Sequence, residues 1–164
     1  MKTILAVIFE LSVLLWAGVR VVNSIQFDRN VGGYLKRAAD SNTVELAKKN
    51  LGVAVKSLEE NRLMSGYTSI LWRTPDEDIE FWYTNLKASL GELDRVQPDT
   101  SQLERTNILI KLCETILDQG ESGPKITTPK GISVFPNNMA LALWGILNCV
   151  FAVAFWVASR LNDF

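Results

Sequence analysis

Histidine is absent from the 164-residue chain. Its absence removes Ser-His-Asp and Cys-His nucleophiles, His-ligated zinc and His-ligated haem. Cysteine is scarce: Cys113 and Cys149 stand alone in segments of different character, so neither a disulfide framework nor a CxxC metal pair is written here. Charge of one sign is not in excess either. Seventeen Lys and Arg stand against 18 Asp and Glu, with a formal charge of −1 and a pI near 5.5. A nucleic-acid binder normally carries a basic face or stripe, and the basic residues at Lys48-Lys49 and between Arg29 and Arg37 are too scattered to form one. No cofactor and no metal is expected.

Long apolar runs, by contrast, lie at both ends. Thr3–Val22, TILAVIFELSVLLWAGVRVV, is about 20 residues long, enough for roughly 30 Å of helix and so for a bilayer's hydrocarbon core. Met139–Leu161 is longer and carries no charge before Arg160. Trp144 and Trp156 stand roughly 18 Å apart along such a helix, as interfacial aromatics do. The first run has a rival reading as a secretory signal peptide, because Lys2 precedes it and Val22-Asn23-Ser24 could pass for a cleavage site. Its length and the interruption at Glu10 favour a retained signal anchor. The expected division is a first transmembrane helix over 1–24, a helical extramembrane bundle over 25–119, an extended segment or short hairpin over 120–138, a second transmembrane helix over 139–161 and a tail over 162–164.

The insert between the runs, residues 23–138, holds 14 Lys and Arg against 16 Asp and Glu, and its apolar pattern is helical. Val44, Ala47, Leu51, Val55 and Leu58 recur at steps of three and four, and Gly66 can stop that helix after Met64. Upstream, Tyr34, Leu35, Ala38 and Ala39 continue the pattern, and Ala39–Asn42 is either a break or an exposed turn of one long helix, with continuity favoured. In WRTPDEDIEFWY, Thr74 is the expected N-cap, Pro75 the first helical residue, and Glu77 the capping-box partner. Four carboxylates crowd this start because unpaired N–H groups and the helix dipole favour them there. Ile79, Trp82, Leu86, Leu90 and Leu93 then form a stripe ended by Pro98. A third helix opens at Ser101, with Leu103, Leu109, Ile110, Leu112, Cys113, Ile116 and Leu117 as its apolar positions. Residues after Gly120 read as extended, with a hairpin near Pro129-Lys130-Gly131. The fold class is thus an all-α membrane protein: two transmembrane helices flanking an antiparallel three-helix, possibly four-helix, bundle with an extended return segment. Three helices would end far from the membrane, and an extended stretch of up to about 60 Å would bring the chain back.

Two groups of residues are site candidates. Glu10 lies within an apolar span, where an ionisable residue is a functional candidate. Its expected role is an intramembrane polar contact with Asn148, a contact with another subunit, or proton transfer. Arg20, near the end of that span, is expected to snorkel. The second group is an interaction patch of Tyr67, Trp72, Asp76, Asp78 and Phe81, placed at the end of the bundle farthest from the membrane. Phe81 falls outside the apolar stripe, about 100° from Trp82. The alternative is that a loop folds over these aromatics and they cap the core. Neighbouring carboxylates on a helix diverge and lack the EF-hand spacing, so calcium is not expected.

The layout resembles the sensory half of bacterial chemoreceptors and histidine kinases, whose helical bundles sit between two membrane helices. The segments FDRNVGGYLKRAADSNTVELA, TPDEDIEFWYTNLKASL and GISVFPNN resemble those of an uncharacterised group of two-span bacterial membrane proteins. That resemblance implies a bacterial inner membrane and no activity. Only three residues follow Leu161, so any signalling would pass through another chain. Signal-anchor logic puts the insert outside the cytoplasm, although Arg20, Arg29, Lys36 and Arg37 outnumber Lys2 and argue the reverse. The leading expectation is a non-enzymatic accessory or scaffolding subunit of a larger membrane assembly, with other membrane protein chains or copies of itself as partners. A ligand-sensing bundle and an ion- or proton-conducting oligomer are the rivals.

Overall fold

A computed structural model describes residues 2–120 and 123–160, which are mostly helical. Helix α1 (Lys2–Phe27) passes through a π-helical turn, Asp28–Gly32, into α2 (Gly33–Ala39). The wide turn closes tightly on its own side chain: a Cβ at Gly32 would lie 2.9 Å from Asp28 Oδ1. Val22-Asn23-Ser24 lies within continuous helix.

The expected continuity through 39–42 is not found. Helix α2 stops at Ala39, and Thr43 turns extended to cap α3 (Val44–Glu60), its hydroxyl accepting from the Leu46 N–H at 3.3 Å. Asp40, Ser41, Asn42 and Thr43 are all residues whose short side chains offer the backbone local alternatives to helix. Ser41 does so by donating to the Arg37 carbonyl at 2.6 Å. Gly66 does not end α3. The helix closes earlier, with Arg62 left-handed at φ 57° and the Leu63 N–H bonded to the Leu58 carbonyl at 2.8 Å, a Schellman closure. Gly66, at φ 107°, is needed for another reason: a Cβ there would meet the Phe135 ring at 2.9 Å.

Thr74 is not the cap of the next helix. Pro75–Glu77 forms a single 3-10 turn, and α4 (Ile79–Asp94) is capped by Asp78, whose carboxylate accepts from the Glu80 and Phe81 N–H groups at 2.9 and 3.2 Å. Ser101 caps α5 (Gln102–Ile116) as expected. The hairpin lies earlier than the sequence suggested. Strands β1 (Leu117–Gly120) and β2 (Gly123–Ile126) pair antiparallel with Leu117 opposite Ile126. Pro129-Lys130-Gly131 instead leads into a short 3-10 turn over Ile132–Val134, with Gly131 left-handed at φ 79°. Helix α6 (Asn138–Arg160) completes the described chain; the expected tail over 162–164 falls outside the described residues. Helices α1 and α6 are long and apolar enough to cross a bilayer, and they pack on each other.

In the head, α2 packs on α3 and α5, α3 on α4, and α4 on α5. Lys48–Asp94 at 2.8 Å and the Lys87–Glu59 pair show that α3 and α4 run in opposite directions. The head thus has four packed helices, the alternative to the expected three, because the break at Asp40–Thr43 separates α2 from α3. The stripe of α3, Val44, Ala47, Leu51, Val55 and Leu58, is buried throughout, as are Ile79, Trp82, Leu86 and Leu93 of α4. Helix α5 contributes less. Leu112 and Ile116 are buried, but Leu103 and Ile110 are exposed. Substituting Leu51→Ala should cost about 2–5 kcal/mol, whereas Leu46→Ala, on the exposed side of the same helix, should cost less than about 1 kcal/mol. Chemical denaturation of the two variants in one detergent checks the difference.

Candidate functional site

The contact between α1 and α6 is built on a short polar seam inside apolar helices. Ser12 and Trp16, one helical turn apart on α1, face Leu141, Trp144, Gly145 and Asn148 of α6. Trp144 Nε1 donates to Ser12 Oγ at 2.9 Å, and Ser12 Oγ donates to Asn148 Oδ1 at 3.1 Å. Trp16 Nε1 donates to the Leu141 carbonyl at 2.8 Å. The Trp16 indole lies over Gly145, where a Cβ would come within 3.1 Å of Cζ2. A small residue under a large ring, with polar groups tied across, is the usual basis of helix association in an apolar medium.

Glu10 is not part of this seam. It precedes Ser12 by two residues, or about 200° around a helix, and its side chain is exposed. The partner expected for it, Asn148, is held by Ser12 instead. With Ser12 opposite Asn148, Glu10 lies level with about residue 150, close to the middle of α6. Arg20 lies over the Trp16 ring at 5.0 Å, its stem drawn back along α1.

Where the paired helices meet the head, Asn138 joins three segments. Its side-chain N–H2 donates to the Thr68 carbonyl at 3.1 Å and to the Gly131 carbonyl at 3.0 Å. Ser57, Asn61 and Leu63 at the end of α3 share a cleft with Asn23 and Gln26 of α1 and with Ile132–Asn137. The connection over 61–78 therefore sits at the base of the head, beside the apolar helices. This reverses its expected placement at the far end, since one more pass of helix moves the connection to the opposite pole.

The expected patch is divided by this arrangement. Tyr67 pairs with Asp78 in an isolated bridge and lies 5.1 Å from the Arg73 guanidinium. Trp72 projects from the connection, 78% exposed. Asp76, Asp78 and Phe81 line an open groove of about 1220 Å³ between the outer end of α1, α4, α5 and the segment 125–133. Phe81 is exposed, one position off the buried stripe, in the register expected of it. Some of the groove's polar groups are in use: Glu92 pairs with Lys111, Asp78 caps α4, and at the groove wall Trp82 Nε1 donates to the Thr127 carbonyl at 2.8 Å. Among the described residues, no three His, Cys, Asp or Glu side chains are placed to hold a metal ion.

The seam residues Ser12, Trp16 and Trp144 were missed by sequence reasoning, as was Asn138. The spacing of Ser12 to Trp16 and of Trp144 to Asn148, four residues each, was the available signal. No family model, curated protein or solved structure matches the chain.

A titratable cluster ties α3 to α4 on the head's surface. Glu59 accepts from Tyr83 Oη at 2.7 Å and from Lys87 Nζ. The hydrogen bond from Lys87, then that from Tyr83, holds the Glu59 carboxyl below its ordinary value of 4.5. A depressed carboxyl stabilises the fold above the unfolded-state value and loses that contribution as pH falls through the folded-state value. The melting temperature should thus decline more steeply below about pH 4.5 for the natural chain than for Glu59→Gln, as a pH series of thermal melts will register.

Proposed function

We propose that the chain is a non-enzymatic, membrane-anchored helical subunit that joins a larger membrane assembly through the outer face of α1. In this reading α1 and α6 cross the bilayer as a pair and the head folds as an antiparallel four-helix bundle. The observation that carries the reading is Glu10. Its carboxyl sits near mid-depth of the paired helices, on the side turned away from α6, while on the inner side Ser12, Trp16, Trp144 and the Asn148 Oδ1 are joined across the seam. An unpartnered acidic side chain at the centre of a bilayer costs on the order of 2.5–3.5 kcal/mol by insertion scales. A polar group from a neighbouring chain at the same depth offsets that cost. The alternative of ligand sensing draws support from the open groove beside α4.

The proposed side for the head is extracytoplasmic. Protease added to intact spheroplasts should then remove it, whereas digestion only after lysis would reverse the orientation. For the assembly itself, native mass measurement of the detergent-extracted chain compares three variants with the natural protein. Glu10→Gln should keep partners, and Glu10→Leu should shed them without lowering the melting temperature. Ser12→Ala should do the opposite, loosening the helix pair by about 1 kcal/mol while partners are retained. Identical masses for all four proteins would sink the proposal.

A further inference from the structure

Leu71 and Trp72 are the most exposed large apolar side chains among the described residues, each at 78%. They surpass Leu14, the most exposed large apolar residue of the two long apolar helices, at 68%. Adjacent apolar side chains held this far into water on a soluble surface are uncommon, and they mark a contact. The position of the loop says what the contact is. Thr68 is buried, and its carbonyl is held by Asn138, the residue that opens α6. The Thr68 N–H is bonded to the Glu77 carbonyl at 3.1 Å, so residues 69–76 leave and return at one level. Above that level the space is taken by the ends of α3 and α4, whose root is fixed by the Ile79 N–H bonded to the Gly66 carbonyl at 2.9 Å. The loop thus opens from the level at which α6 begins.

We infer that the loop Ile70–Arg73 is a membrane-interface anchor, placing Leu71 and Trp72 among lipid headgroups and the first acyl carbons beside the outer end of α6. The inference rests on the reading that α1 and α6 cross a bilayer. Leu71 and Trp72 follow Thr68 by three and four residues, a reach of at most about 14 Å. The headgroup layer is about 5–7 Å thick on each side of the hydrocarbon, so side chains at the loop tip meet it without any movement of the head. Tryptophan favours this layer because its ring is apolar and its N–H is polar. Arg73 follows directly, and its guanidinium, 5.1 Å from the Tyr67 ring, places a cation at phosphate depth. A lipid surface suits this combination of an aliphatic side chain, an indole and a cation in sequence, and the contact fixes the tilt of the head over its two anchors.

The full chain in lipid nanodiscs tests this by comparing the tryptophan emission of the natural protein with that of Trp72→Phe. The difference between them is the emission of Trp72. Lipid brominated near the headgroup end of its acyl chains should quench more than half of that difference, lipid brominated near the terminal methyl should quench less, and aqueous iodide should quench little. Quenching by iodide alone places Trp72 in water and overturns the anchor. Quenching by neither places it against protein, in which case the loop docks a partner chain and the lipid assignment also fails. Four tryptophans remain in the Trp72→Phe protein: Trp82 in the head, and Trp16, Trp144 and Trp156 in the two long apolar helices, which report on the crossing of the bilayer. If brominated lipid quenches them, the helices lie in the bilayer and the loop result stands by itself. If it does not, the crossing of the bilayer is wrong, and the anchor falls with it.

Discussion

The packing of α1 on α6 sets a closure condition for everything between them. Because Ser12 is opposite Asn148 and Trp16 reaches Leu141, the chain leaves α1 and enters α6 at nearly the same level. The intervening residues must return to where they started. Helices as stiff as α3 and α4 can meet that requirement only in an even number of passes, unless an extended strand supplies the odd one. The chain takes the even solution, and the break at Asp40–Thr43 is what makes it even. The segment after Gly120 is thereby released from spanning the head, and it becomes the hairpin and the collar around Asn138.

The closure is held mainly by apolar contact. Each buried leucine or isoleucine of the head contributes about 1.5–3 kcal/mol relative to exposure, and Leu35, Leu51, Leu58, Ile79, Leu86, Leu93 and Ile116 are all sealed from solvent. The ion pairs that cross between helices are roughly half exposed, as in Lys48–Asp94, where such pairs contribute about 0–1 kcal/mol. They set which residues face each other more than how firmly the helices hold. Inside the apolar pair the balance is different. In a bilayer the hydrophobic effect between helices would be weak, and ring-on-glycine packing with the Ser12–Asn148–Trp144 bonds would supply the fit.

The stripes of α3 and α4 were legible because burial on one side of a helix leaves a period that survives any tertiary arrangement. The two apolar runs were legible by length. What was not legible depended on competition between local signals. Asp40, Ser41, Asn42 and Thr43 carry the chemistry of a cap, yet one exposed turn of a long helix tolerates the same residues, and only the packing of α2 on α3 decides. Glu77 stands at the capping-box spacing from Thr74, but Asp78 wins the cap because the 3-10 turn after Pro75 delays the helix. The misplacement of Trp72 and Tyr67 followed from the pass count alone. Glu10 attracted attention as the only charge deep in the first run, and that prominence hid Ser12, which carries no charge and holds the seam.

The π-helical turn at Asp28–Gly32 lets one continuous helix serve two layers. Leu35 lies nineteen residues after Trp16 and Ala38 twenty-six after Ser12. At about 100° per residue these pairs would be out of phase by roughly 100° and 80°. An unbroken α-helix would thus aim its head-facing residues a quarter-turn away from its seam with α6. A single π turn takes one extra residue into the circuit and sets the phase back by about 100°. Leu35 and Ala38 then come onto the side that Ser12 and Trp16 occupy below. The head-facing side of α2 is thereby brought into line with the α6-facing side of α1, and Glu10 stands on the opposite side of α1.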